Sequence, residues 1–154
     1  MHRVGLVYDD IFLRHEMPDG HPECADRLKA ILSALRQSAF WPSLSVIKPR
    51  KASKEEITAV HSASYFDRIS SFTGYFDPDT YVSPRSFEAA LFAAGAPIEA
   101  LDRIVSGEID RAFCAVRPPG HHAEHGRAMG FCIFNNVAVG ARYARSRGFG
   151  RVFI

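Results

Sequence analysis

His121 and His122 stand side by side in the stretch RPPGHHAEHGRAMGFCIFNN, which runs from Arg117 to Asn136. Imidazole titrates near neutral pH, so two of them at one place suit a hydrolysis: one takes a proton from water while the other holds charge beside the transition state. Arg117 precedes a proline and is pushed toward an extended backbone. Pro118 and Pro119 fix φ, and Gly120 permits a turn without steric cost. The predicted result is a stiff arm whose two imidazoles converge on one centre if the chain bends at Gly120. A lone histidine pair is more often a surface or hydrogen-bonded pair, so the doublet by itself does not settle the chemistry.

His125 extends the pattern to HHxxH. Histidine is the commonest metal ligand, which raises zinc as a possibility. A Pro-Pro-Gly start gives no helix to place His121 and His125 on one face, and the spacing lacks the logic of a helical HExxH pair. No metal ligand is assigned. Gly130-Phe131-Cys132 reads as the wall of an apolar slot or as ordinary core. Cys132 could serve as a nucleophile beside His122. Its apolar flanks Phe131, Ile133 and Phe134 favour a buried, inert thiol instead.

The elements that must carry these residues alternate between short apolar runs and helical patterns. Val4–Asp9 (VGLVYD), SLSVIKP, Arg111–Val116 (RAFCAV) and RVFI read as strands. Leu28, Ile31, Leu32 and Leu35 mark a first helix at i, i+3, i+4, i+7. Ser53 with Glu56 is a capping box that opens a second, and ASYFDRISSF is a third. YFDPDTYVS reads as an irregular loop. Ser83 and Pro84 are taken as N-cap and first residue of a long helix, with Pro97 expected to kink it. Asn135 or Asn136 caps a last helix that ends near Gly148. This alternation predicts a parallel α/β sheet. Ligands in such sheets bind beyond the carboxyl ends of the strands, the edge from which the loops after Asp9 and Val116 both leave.

The 154 residues suffice for one domain with a core, and a net charge of +2 is too small to argue for nucleic acid. Eight of the 19 basic residues fall between Arg103 and Arg151, read as a solvated face rather than a nucleic-acid patch. Cys24, Cys114 and Cys132 have no CxxC spacing and are odd in number, which suggests reduced thiols. No apolar run approaches a membrane span, and the N-terminal stretch is too short for a leader. A soluble cytoplasmic protein is expected, with no nucleic-acid or membrane partner.

RPPGHHAE followed by GFCIFNNVAVGARYA resembles the histone deacetylase and acetylpolyamine amidohydrolase superfamily, in its class II and bacterial branch. The resemblance covers the whole chain, through HPECADRL, VHSASY, DPDTYVSPRSFEAALFAAGA and AFCAVRPPGHH. It implies the three-layer parallel α/β sheet of the arginase/deacetylase type. It implies a zinc-dependent hydrolysis of acetyl-lysine or small acetylated amines, with His122 as general base and acid and His121 as electrostatic helper. Phe131 would wall the substrate tunnel, and the Gly130 carbonyl would accept from the substrate amide. Arg27 would line an inner cavity, and Asp77 or Asp79 would be the acid at the rim.

In that family the metal ligands are an Asp-x-His pair just after a strand like RVFI and a later aspartate. The carboxylates that orient the histidines and a carbonyl-polarising tyrosine also lie later. Residues 1–154 then correspond to the N-terminal half of a catalytic domain. The expectations are no zinc for this chain alone, no activity by itself, and self-association through an unpaired sheet edge. The alternative is a non-enzymatic half-domain that self-associates or binds a partner.

Overall fold

The computed structural model describes residues 3–154; Met1 and His2, which begin the stretch inspected for a leader, lie outside the described residues. Strand β1 (Val4–Val7) is central in a three-stranded sheet, flanked by β2 (Leu44–Ile47) and β5 (Arg111–Cys114), and both pairings are parallel. The three apolar runs thus lie side by side. Successive side chains leave a strand on opposite faces. Leu6 joins Leu28 and Leu32 of helix α1 (Ala25–Gln37). Val7 joins Ile47, Ile109 and Ala96.

The other elements are α2 (Lys54–Thr58), α3 (Ala63–Ser70), α4 (Ser86–Val105) and α5 (Asn136–Ser146). The Ser53–Glu56 capping box forms reciprocally at the head of α2. Asn135 is the cap of α5: its side chain accepts from the Ala138 amide at 3.0 Å. Gly148 follows α5 at φ +92, a conformation that favours glycine. Helix α4 is the hub. Its small residues Ala89, Ala90, Ala93, Ala94 and Ala96 are buried, and Gly95 lies so close to the Arg50 carbonyl that no Cβ could fit. Pro97 is accommodated without interrupting the helical span, and its ring faces Gly140 of α5, where a Cβ would meet Pro97 Cβ at 2.9 Å. A third cluster, with Tyr65, Ile69, Ile133 and Phe134, packs α3 and the loop before α5 onto α4.

Three expectations are corrected. Residues in YFDPDTYVS are not all irregular: β3 (Gly74–Tyr75) and β4 (Tyr81–Val82) form an antiparallel pair, closed by Asp77, whose carboxylate accepts from the Asp79 and Thr80 amides. Ser83 and Pro84 do not begin α4. The Ser83 amide and hydroxyl both turn to the Ser86 hydroxyl, making a turn ahead of a helix that starts at Ser86. RVFI is not a strand. Among the described residues nothing pairs with 151–154, which are exposed; a strand needs a neighbour to satisfy its backbone, and here there is none. Among the described residues no helix is long and apolar enough to cross a membrane. Cys24, Cys114 and Cys132 are free thiols.

Candidate active site

The segment 118–123 is held at both ends. Asn136 Nδ2 donates to the Pro118 carbonyl at 3.2 Å, and Asn135 Nδ2 donates to the Ala123 carbonyl at 3.1 Å. Gly120 sits against the backbone of Phe134 and Asn136; a Cβ there would meet Asn136 N at 2.5 Å and Phe134 O at 2.6 Å. His61, buried behind the loop, ties it further. Its Nε2 accepts from the Asn135 amide at 2.9 Å, so its Nδ1 carries the proton and donates to the Glu124 carbonyl at 2.8 Å. Burial keeps His61 below the usual histidine range, although the backbone of Glu124 and His125 favours the charged ring. The arm predicted from Pro-Pro-Gly therefore exists, and the asparagines that bracket it lie in the next turn of chain.

On the arm, the His121 and His122 rings are 4.2 Å apart between centroids, and both residues are exposed. The His122 side chain fills the space a Cβ on Gly130 would need, its Cδ2 2.8 Å from that position. Its amide points at Cys132 Sγ, 3.5 Å away. Cys132 is fully buried, and burial pushes its thiol up, which removes the thiolate a nucleophile would need.

Phe131 has φ +67, a left-handed backbone that a bulky side chain seldom adopts. Its amide donates to Thr80 Oγ1 at 3.1 Å, and the His21 ring meets its ring edge-on at 4.9 Å. His21 Nδ1 accepts from the Glu23 amide, so Nε2 donates to the Asp79 carbonyl, each at 3.1 Å. His21 thereby joins the first loop, the 77–80 turn and Phe131.

The seven candidate residues fall on two cavities. Arg27, His121 and Phe131 line one of about 570 Å³, with Glu23, Pro97 and Cys114. His122, Gly130, Asp77 and Asp79 line a second of about 460 Å³ with Met129. Asp77 is occupied by its own turn: burial raises its carboxyl, but the hydrogen bonds from Thr80 and Asp79 win and hold it low. The Asp79 side chain is exposed and, among the described residues, accepts only from Thr80 Oγ1. His125 faces away from the pair, bonded to the Val60 carbonyl. Among the described residues no group of three or more His, Cys, Asp or Glu side chains is placed to hold a metal ion.

Beneath the arm lies a buried polar cluster that no local sequence pattern announces. Arg117, fully buried, meets Glu23 with Nε and Nη2, both at 2.7 Å. Arg27 adds a second guanidinium at 3.1 Å. Burial pushes the Glu23 carboxyl up, yet the hydrogen bonds and charge of Arg117 overcome this and hold it below the usual range. His15 Nδ1 contacts Ser86 Oγ at 2.7 Å, while its Nε2, 3.7 Å from Glu23 Oε2, has no hydrogen-bond partner among the described residues. Burial drives His15 down to about 4, so at neutral pH it is uncharged and this approach is not an ion pair. HPECADR had pointed to Arg27, and Glu23 lies four residues before it in the same motif; nothing close to Arg117 in sequence marks it as the partner of Glu23.

The sequence profile of the histone deacetylase domain matches residues 21–154. Histone deacetylase 5 of Arabidopsis thaliana is 36% identical over 154 residues, covering 92% of this chain and 23% of that protein. A probable deacetylase of Archaeoglobus fulgidus is 35% identical over 98% of this chain and 44% of its own length. The polyamine deacetylase HDAC10 of Homo sapiens is 33% identical over 98% of this chain and 25% of its length. The crystal structure of the HDA15 HD domain superposes with a TM-score of 0.88 at 35% identity, over 96% of this chain and 44% of that one. This chain spans about half, or less, of the length of each of these relatives. Fold, profile and relatives agree, and the chain belongs to the histone deacetylase family.

Proposed function

We propose that this chain supplies the histidine arm and the apolar wall of a hydrolase site that removes acetyl groups from lysine or from small amines. The observation that carries the reading is the tandem imidazole pair beside Gly130 and Phe131, between two adjoining cavities. His122 takes the proton of the attacking water and returns it to the leaving amine. His121, next to it, offsets negative charge on the tetrahedral intermediate. Phe131, locked by Thr80 and His21, excludes water along the aliphatic chain of the substrate. The Gly130 carbonyl accepts the substrate amide proton with the lone pair that the Cys132 thiol does not use. Asp79, rather than the internally bonded Asp77, is the rim acid.

Relatives of this family imply a metal, and zinc is the expectation from the resemblance. The described residues do not form a site for it, so no step here runs through a metal. We therefore place the metal ligands outside these residues and expect the 154-residue chain to be inactive by itself. The test is acetate release from an acetyl-lysine peptide and an acetylated polyamine, with zinc supplied. The chain alone should release none, and release should appear once the chain carries the remainder of a deacetylase domain. Turnover by the chain alone would overturn the placement of the ligands.

A second reading is a self-associating half-domain. It is favoured by the sheet order, which leaves β5 unpaired on one side, and by the row Val46–Leu6–Phe113, whose outer members are 56% and 49% exposed. Unpaired strand edges beside exposed apolar side chains tend to pair with a second copy. Sedimentation at micromolar concentration should show a dimer or larger species; a compact monomer would dismiss it.

A further inference from the structure

The Arg117 guanidinium makes four hydrogen bonds in the interior. Besides the two to Glu23, Nη1 donates to the Phe12 carbonyl at 3.0 Å and Nη2 to the His15 carbonyl at 2.9 Å. Burying such a pair gives little net stability, since apolar side chains of similar volume usually hold a fold as well. What the planar guanidinium adds is direction, because its donors leave in a fixed fork. It fixes Arg117 against the first loop through one carboxylate and two carbonyls.

Between Arg117 and His122 the backbone has little slack. Two prolines fix φ, Gly120 is pressed against the backbone of 134 and 136, and Asn136 grips the Pro118 carbonyl. Movement at Arg117 is therefore passed along the arm instead of being absorbed in it. We propose that Arg117 and Glu23 are positioning residues: their pair sets where the His121 and His122 rings lie relative to Gly130 and Phe131. This rests on His121 and His122 being the reacting pair, but its test needs no turnover.

The test uses the 154-residue chain and two variants, the double substitution Arg117→Met with Glu23→Leu, and the single Arg117→Lys. The first readout is the thermal midpoint, expected for the double variant within roughly 5 °C of the parent. The second is the nuclear Overhauser cross-peak between the His122 ring and the Gly130 α protons. It should be strong in the parent, where a Cβ on Gly130 would lie 2.8 Å from His122 Cδ2. Both variants should fold and lose most of that cross-peak, because the lysine keeps the charge without the fork. Parental cross-peaks in the folded double variant would overturn the proposal, since the rings would then be placed without the pair. Unfolding of both variants would overturn it too, because the pair would be a determinant of folding and not of position. Absence of acetate release by the chain joined to the remainder of a deacetylase domain would leave these outcomes unchanged and would count against the deacetylase reading alone.

Discussion

Acidification should destabilise this fold through His15 well before its carboxylates titrate. His15 is 1% exposed, and burial lowers it from 6.5 to about 4, with Glu23 pulling partly the other way. In the unfolded chain it returns to about 6.5. Between these values the unfolded state binds a proton that the folded state refuses, so stability rises with pH and is lost as pH falls from 6.5 toward 4. At ~1.4 kcal/mol per pH unit the gap gives a loss of about 3 kcal/mol by pH 4. His61, also lowered by burial, acts in the same direction. Glu23, held low by Arg117, adds its loss only below the ordinary carboxylate range. Urea unfolding of the parent and of His15→Gln, each from pH 7.5 to 4, isolates the histidine. The variant's curve should be flatter by about 3 kcal/mol over that range. Coincident slopes, or an NMR titration placing His15 near 6.5, would refute the reasoning.

Gly120→Ala should cost about 1–3 kcal/mol or more in denaturant unfolding, because its Cβ meets two backbone atoms that cannot move independently. Phe134→Ala should cost about 3–5 kcal/mol in the same assay, since the buried ring contacts Tyr65, Phe66 and Phe87. Calorimetric titration of the chain with zinc should show no stoichiometric binding at submicromolar affinity; such binding would revive a histidine site around His121 and His125.

Features set by near neighbours were legible in the sequence. The capping box of Ser53 and Glu56 needs residues three apart, and Asn135 bonds an amide of the next turn. The stiffness of the arm follows from Pro118, Pro119 and Gly120, whose backbone limits hold in any fold. Residues whose roles depend on distant partners were not legible. Arg117 and Glu23 are 94 positions apart, and neither reads as half of a buried pair until the first loop folds over the arm. Ser83 has a good capping side chain, yet the Ser86 hydroxyl and His15 draw the turn into their own network. RVFI has the composition of a strand but no strand beside it, and composition cannot supply one. We prefer Asp79 to Asp77 as the proposed rim acid because the Asp77 carboxylate accepts two amides of its own turn, which spacing does not reveal.

We propose that His122 moves the proton in amide hydrolysis. The most direct measurement is kcat for acetate release from an acetyl-lysine peptide, with parent and His122→Ala compared in a form that carries the rest of a deacetylase domain. His122→Ala should lose on the order of a hundredfold or more with the thermal midpoint unchanged. Near-parental turnover by His122→Ala would contradict it.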